Sequence, residues 1–170
     1  MIKSSTTSHI SYSDLPKLRK KHKNQKIVFC TGTFDLTHAG HVLFFEECKK
    51  YGDILVVGLG GDRLVRKYKG DQRPILNHFV RLKMILSLKP VDYCLLDLVL
   101  HKDPHYQIKL GLEKLKPDVY FVASDAFDLP LRKEFAKKYK AKLVIAKRTC
   151  PPELENISTS KIIEKIKGLN

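Results

Sequence analysis

Apolar residues fall in short continuous runs along this chain, separated by amphipathic stretches. KIVFCT (26–31), DILVVGLG (53–60), VDYCLLDLVL (91–100), DVYFVAS (118–124) and AKLVIAK (141–147) are rich in β-branched and aromatic residues and short enough to be strands. AGHVLFFEECKKYG (39–52) has helical spacing instead, with Val42, Phe45 and Cys48 on one face and Gly52 at its end. FVRLKMILSL (79–88), HYQIKLGLEKLK (105–116), LPLRKEFAKKY (129–139) and TSKIIEKIK (159–167) also read as helices. Ahead of the first strand, SDLPKLRKKHK reads as a short helix with Ser13 as its N-cap and Pro16 in its first turn.

Strands that are apolar throughout and alternate with helices imply a parallel sheet covered on both faces. The expected fold is a single doubly wound, Rossmann-like α/β domain with five strands and right-handed crossovers. It divides the chain into an N-terminal arm and short helix (1–25) and one domain (26–170), with no internal repeat. Pro151-Pro152 marks a loop before the last helix. Ligands of such sheets bind beyond the carboxyl ends of the strands, where the strand order reverses.

Composition narrows the class. Of the 170 residues, 43% are hydrophobic and 29% charged, as in globular proteins. No apolar run approaches the roughly 18 residues that span a bilayer, so membrane insertion is not expected. MIKSSTTSHISYSD lacks the apolar stretch and cleavage site of a secretory signal. Cys30, Cys48, Cys94 and Cys150 lie far apart with no CxxC pair, which suits reduced thiols in the cytoplasm. The net charge of +14 admits nucleic acid, an anionic membrane surface or small polyphosphates as partners. Lysines spread along the whole chain, densest in LRKKHKNQK, and charge alone decides nothing.

The chemistry concentrates in TGTFDLTHAGH (31–41), at the carboxyl end of the first long strand. Gly32 lets the backbone leave the strand close to a ligand. The helix starting near Ala39 turns free N–H groups and partial positive charge toward the same rim. His38 and His41, three apart, project from one side and can donate to phosphoryl oxygens. A zinc site would need a third ligand, and i, i+3 spacing chelates less well than i, i+4. The features together, with Asp35 and Gly40, favour an anion.

GTFDLTHAGH resembles the signature of the cytidylyltransferase-like nucleotidyltransferases, (T/N)G-x-FD-x-x-H-x-GH, at every signature position. The resemblance implies that His38 and His41 bind the nucleotide phosphates and stabilise the transition state at the α-phosphorus. It also implies nucleotide contacts along Thr31, Gly32, Thr33 and Phe34 and at Gly40. ENISTSKIIEKI (155–166) reads by itself as a helix N-cap, and it is similar to the second family signature, whose hydroxyls grip the β- and γ-phosphates, here Ser158, Thr159 and Ser160. RKYKGDQRPI (66–75) gathers Arg66, Lys67, Lys69 and Arg73 around a glycine, as a mobile clamp for polyphosphate would. Its KGDxRP resembles a segment of heptose-phosphate adenylyltransferases, which implies a catalytic, phosphate-binding Lys69 and a nucleotide-binding Arg81. In VASDAF (122–127), Asp125 matches the aspartate of the family's GGDY or GDDW while its neighbours depart; it is the candidate for orienting substrate or Mg²⁺, which the nucleotide phosphates would mainly hold. Arg148-Thr149 resembles the RT before IST in glycerol-phosphate enzymes, with extra residues intervening.

The resemblance implies transfer of an NMP from an NTP to a phosphorylated acceptor, with release of pyrophosphate, by a homodimer. The KGDQRP loop and the N-terminal helix favour ATP and a sugar phosphate such as heptose 1-phosphate. The alternative is a CTP-dependent enzyme for glycerol-3-phosphate or another polyol or amino-alcohol phosphate, although Lys89 stands where those enzymes carry arginine. A basic module that binds nucleotide or nucleic acid without catalysis is the reading of another class. The lack of an RNA-binding aromatic signature and the intact histidine pair argue against it.

Overall fold

The computed structural model describes residues 8–98, 101–146, 150–154 and 157–169. Its strands are β1 (Ser8–Ile10), β2 (Ile27–Gly32), β3 (Ile54–Gly60), β4 (Tyr93–Asp97), β5 (Val119–Ala123) and β6 (Lys142–Ala146). They form one parallel six-stranded sheet in the order β1-β4-β3-β2-β5-β6. The expected five strands are all present, and the correction is one addition. Ser8–Ile10 of the N-terminal arm pairs with Tyr93–Leu95 at the sheet edge. A three-residue edge strand pairs through its backbone, so its side chains, SHI, carry no alternating pattern to read.

The helices are α1 (Leu15–Lys21), α2 (Ala39–Lys49), α3 (Asp62–Lys69), α4 (His78–Leu86), α5 (Tyr106–Leu115), α6 (Leu129–Lys138) and α7 (Thr159–Lys167). A 3₁₀ turn over Tyr12–Asp14, capped by Ser11, leads into α1, whose N-cap is Asp14 rather than the expected Ser13. The Ser11 N–H and hydroxyl both donate to the Asp14 carboxylate, at 2.9 and 2.6 Å.

The period of two along each strand sends alternate residues to opposite faces. Ile27 and Phe29 of β2, Val56 of β3 and Tyr120 of β5 pack with residues of α1, α5 and α6. Val28, Cys30, Leu55, Val57 and Phe121 pack on the other face with Phe45 and Cys48 of α2 and Leu82 and Ile85 of α4. Burying each aliphatic or aromatic side chain of this size contributes roughly 1.5–3 kcal/mol. Strand β2 bonds to β3 on one side and β5 on the other, so the order reverses beside it. The crevice for ligand therefore opens where TGTFDLTHAGH leaves the sheet.

One buried cation fixes that crevice from below. Arg81 of α4 is fully buried and spends its guanidinium on the strand ends. Its Nη1 donates to Thr33 O at 2.6 Å, Nη2 to Gly60 O at 2.9 Å and to Asp62 Oδ1 at 2.7 Å, and Nε to Leu76 O at 2.9 Å. The other Asp62 oxygen meets His78 Nδ1 at 2.8 Å. Burial alone would raise the Asp62 carboxyl, but hydrogen bonds from Arg81 and His78 outweigh it and hold the group below its ordinary value.

Removing Arg81 takes the guanidinium from Asp62 and its donors from the Thr33, Gly60 and Leu76 carbonyls. Arg81→Ala is expected to lower unfolding stability by about 3–5 kcal/mol, read from urea denaturation; an unshifted midpoint contradicts the role. The depressed Asp62 value makes its contribution present above the ordinary aspartate pKa of about 3.9, and it fades as pH falls below that. The gap between wild type and Asp62→Asn should therefore close on acidification from pH 6 to about pH 3.

Candidate functional site

Beyond β2 the chain turns sharply, with Phe34 at φ 49° and Leu36 at φ 45°. Left-handed backbone at a bulky residue costs about 1–2 kcal/mol, so something must hold it. Asp35, between them, does so. Its side chain is 1% exposed and accepts from three donors across the α3–α4 connection. Oδ2 takes Arg73 Nε at 3.1 Å and Ile75 N at 2.8 Å, and Oδ1 takes Leu76 N at 3.0 Å. The Asp35 carbonyl accepts the Thr159 hydroxyl at 2.9 Å, tying in the start of α7.

Phe34 turns its ring back beneath the strand end. A Cβ on Gly32 would lie 2.7 Å from Phe34 Cζ, so this glycine is needed to seat the ring as well as to bare the backbone. The same ring meets His41 edge-on, with centroids 5.4 Å apart and planes at 84°. His41 in turn stacks on His38 at 3.9 Å and 26°. His38 is the N-cap of α2 and its Nδ1 accepts the Gly40 N–H at 3.1 Å. That bond places the proton of a neutral imidazole on Nε2, where it can be donated. A Cβ on Gly40 would sit 3.0 Å from the His38 ring and 3.3 Å from the Ile157 carbonyl, so glycine lets α2 and the approach to α7 come together.

The result is a cleft of about 750 Å³ between two helix N-termini. The end of β2 and its loop supply Thr31, Gly32, Thr33 and Phe34. Helix α2 and its cap supply His38, Gly40 and His41; α7 and its cap supply Ser158, Thr159 and Ser160; Lys69 and Asp125 also line the cleft. Two of the three hydroxyls have local duties, since Ser158 Oγ accepts Lys161 N at 3.3 Å and Thr159 is bonded to Asp35. Helix N-termini favour anions, and the cleft joins two of them to the Lys69 and Arg73 cations.

Arg81 stands apart from the other expected residues: it lies under the cleft, not on its lining, with its donors on Thr33, Gly60, Leu76 and Asp62. Arg66 and Lys67 form the last turns of α3 and do not line the cleft; the loop proper begins at Gly70. Arg148 and Thr149 lie outside the described residues, as do Glu155 and Asn156. Sequence reading missed Arg132 of α6, which reaches the cleft from LPLRKEFAKK, where nothing distinguishes it from its neighbouring cations. Its Nη1 donates to Thr31 Oγ1 at 3.3 Å and to the Tyr120 hydroxyl, and its Nε to Phe127 O at 2.7 Å. Burial pushes the Tyr120 phenol up despite that guanidinium.

Known proteins resemble this chain in sequence and fold. A model of the cytidylyltransferase-like family matches residues 29–165. The bifunctional protein HldE of Helicobacter pylori strain P12 is 40% identical over 162 residues, 94% of this chain and 32% of that protein. HldE of Campylobacter jejuni subsp. doylei is 37% identical over 152 residues, 86% of this chain and 29% of its own length. The chain thus spans about a third of these curated relatives. The crystal structure of a lipopolysaccharide core biosynthesis protein from Thermoplasma volcanium superposes with a TM-score of 0.59 at 30% identity, over 75% of this chain and 98% of that one. A pantoate-beta-alanine ligase from Francisella tularensis, at 17% identity and a TM-score of 0.59 over 95% of this chain and 77% of its own, shares the fold alone. With the family model spanning most of the chain, this chain belongs to the cytidylyltransferase-like family.

Proposed function

We propose that the chain is a nucleotidyltransferase that moves AMP from ATP to the phosphate of a sugar phosphate such as heptose 1-phosphate, releasing pyrophosphate. The observation that carries this reading is the stacked pair His38 and His41, with the His38 proton on Nε2, set between the N-termini of α2 and α7. The choice of sugar phosphate is supported by similarity to HldE proteins and by the KGDQRP segment.

An oxygen of the acceptor's phosphate attacks the α-phosphorus as the bond to the bridging oxygen of the β-phosphate breaks. The acceptor is already ionised at neutral pH, so no general base and no covalent intermediate are needed. The protein's contribution is positioning and electrostatic stabilisation. The imidazoles donate to the α-phosphate as its charge grows, while the amides of α7, the Ser160 hydroxyl and Lys69 take the leaving pyrophosphate. Among the described residues no group of three or more His, Cys, Asp or Glu could cage a metal. Asp125, one of two carboxylates on the lining with Glu47, would hold Mg²⁺ together with the nucleotide phosphates, whose charge the ion would neutralise. The same reading makes the protein a cytoplasmic homodimer. No described helix is long and apolar enough to cross a membrane.

Pyrophosphate release, measured with four NTPs against sugar, polyol and amino-alcohol phosphates, is expected to be fastest with ATP and a sugar 1-phosphate. Preference for CTP with glycerol-3-phosphate replaces the substrate assignment; silence with every pair overturns the activity. His41→Ala is expected to cut turnover by about 10²-fold or more, as loss of an oxyanion-hole donor does, with the circular dichroism spectrum unchanged. Near-normal turnover in that variant contradicts the mechanism.

A further inference from the structure

A second, smaller cavity of about 160 Å³ opens on the α5 side of the same strand ends. It shares Thr31, Gly32, Thr33, Lys69, Phe127 and Arg132 with the large cleft, so the two are lobes of one space. At about 30 Å³ per water, the small lobe holds the equivalent of roughly five waters.

Three features give this lobe a chemistry. Gln107 of α5 is 8% exposed, and its Nε2 is buried without a hydrogen-bond partner among the described residues. A buried amide donor with no acceptor is costly, and it is accounted for when a ligand brings the acceptor. Arg132 stands where the lobes meet, oriented by three neutral groups: the Phe127 carbonyl, the Thr31 hydroxyl and the Tyr120 hydroxyl. Among the described residues no carboxylate lies within ion-pair distance of it, so its charge remains available to an anion. Finally, no Asp or Glu lines the small lobe. Its wall is His105, stacked on Phe127 at 5.9 Å and 9°, and burial lowers the His105 imidazole toward its neutral form.

We infer that the small lobe receives the body of the acceptor, that Arg132 holds the acceptor's phosphate at the junction, and that Gln107 donates to a hydroxyl of an uncharged polyol or sugar. This deepens the proposed function and rests on it for the identity of the large cleft as the nucleotide's. It selects phosphate monoesters of neutral polyhydroxy compounds and rejects phosphocholine and phosphoethanolamine, whose cations would enter a lobe lined by Arg132 and Lys69 and by no Asp or Glu.

Titration calorimetry with a sugar 1-phosphate, in the presence and absence of a non-hydrolysable ATP analogue, tests this without requiring turnover. Gln107→Leu, which removes the amide, should weaken sugar phosphate binding about tenfold or more while analogue affinity stays within about twofold, and Arg132→Gln should weaken sugar phosphate binding at least as much. Phosphocholine should bind wild type at least about tenfold more weakly than the sugar phosphate. Unchanged sugar phosphate affinity in Gln107→Leu, or phosphocholine binding as tightly, overturns the inference. Should Arg132→Gln fail to fold, Gln107→Leu decides alone. A wild type that binds sugar phosphate through Gln107 yet releases no pyrophosphate with any NTP would defeat the proposed activity and leave this lobe's assignment standing.

Discussion

The carboxylate of Asp35 is the point on which the site's geometry rests. It is almost wholly buried, yet the residue accepts from two distant parts of the chain: from Arg73, Ile75 and Leu76 of the α3–α4 connection, and through its own carbonyl from Thr159 of α7. Burying a charge without such partners costs several kcal/mol. With them, the same burial locks three segments into one arrangement and holds Phe34 and Leu36 in left-handed backbone. The Phe34 ring is thereby placed under Gly32 and against His41, and His41 against His38. Strain in the turn is thus converted into the orientation of two imidazoles.

Arg81 plays the matching part beneath the sheet. It ties the Thr33 carbonyl beyond β2 and the Gly60 carbonyl at the end of β3 to one guanidinium, so the rim cannot open without exposing several buried polar groups. Above this rigid base, chemistry is left to groups that develop no covalent bond. Two helix starts, two imidazoles and the Lys69 and Arg73 cations surround a space sized for a nucleotide. Under the proposed function, the overall charge of +14 would help gather two anionic substrates without choosing between them.

Much of this was legible in the sequence for physical reasons. Strands β2, β3 and β5 are buried on both faces, so their apolar runs are continuous, and the spacing of His38 and His41 puts both rings on one side of α2. What stayed hidden depends on partners distant in the chain. The short β1 is specified by backbone pairing at the edge. Asp35 is a single letter of TGTFDLTHAGH whose partners lie about forty positions on and are mostly main-chain amides. Arg81 resembles a nucleotide-binding arginine in sequence, while its burial and its carbonyl acceptors appear only once α4 is folded against β3 and β4. Arg132 is one cation in a lysine-rich helix, and only the meeting of α6 with Thr31 and Tyr120 sets it apart.

Under the proposed function, the imidazole pair serves displacement at the α-phosphorus of a nucleotide. The direct measurement is the fate of label from ATP carrying ³²P at the α or the γ position, followed with a sugar 1-phosphate as acceptor. The α-label is expected in a new nucleotide-sugar product and the γ-label in pyrophosphate, with both transfers lost together in His41→Ala. Release of γ-label as inorganic phosphate, or transfer of γ-label to the acceptor, would contradict it.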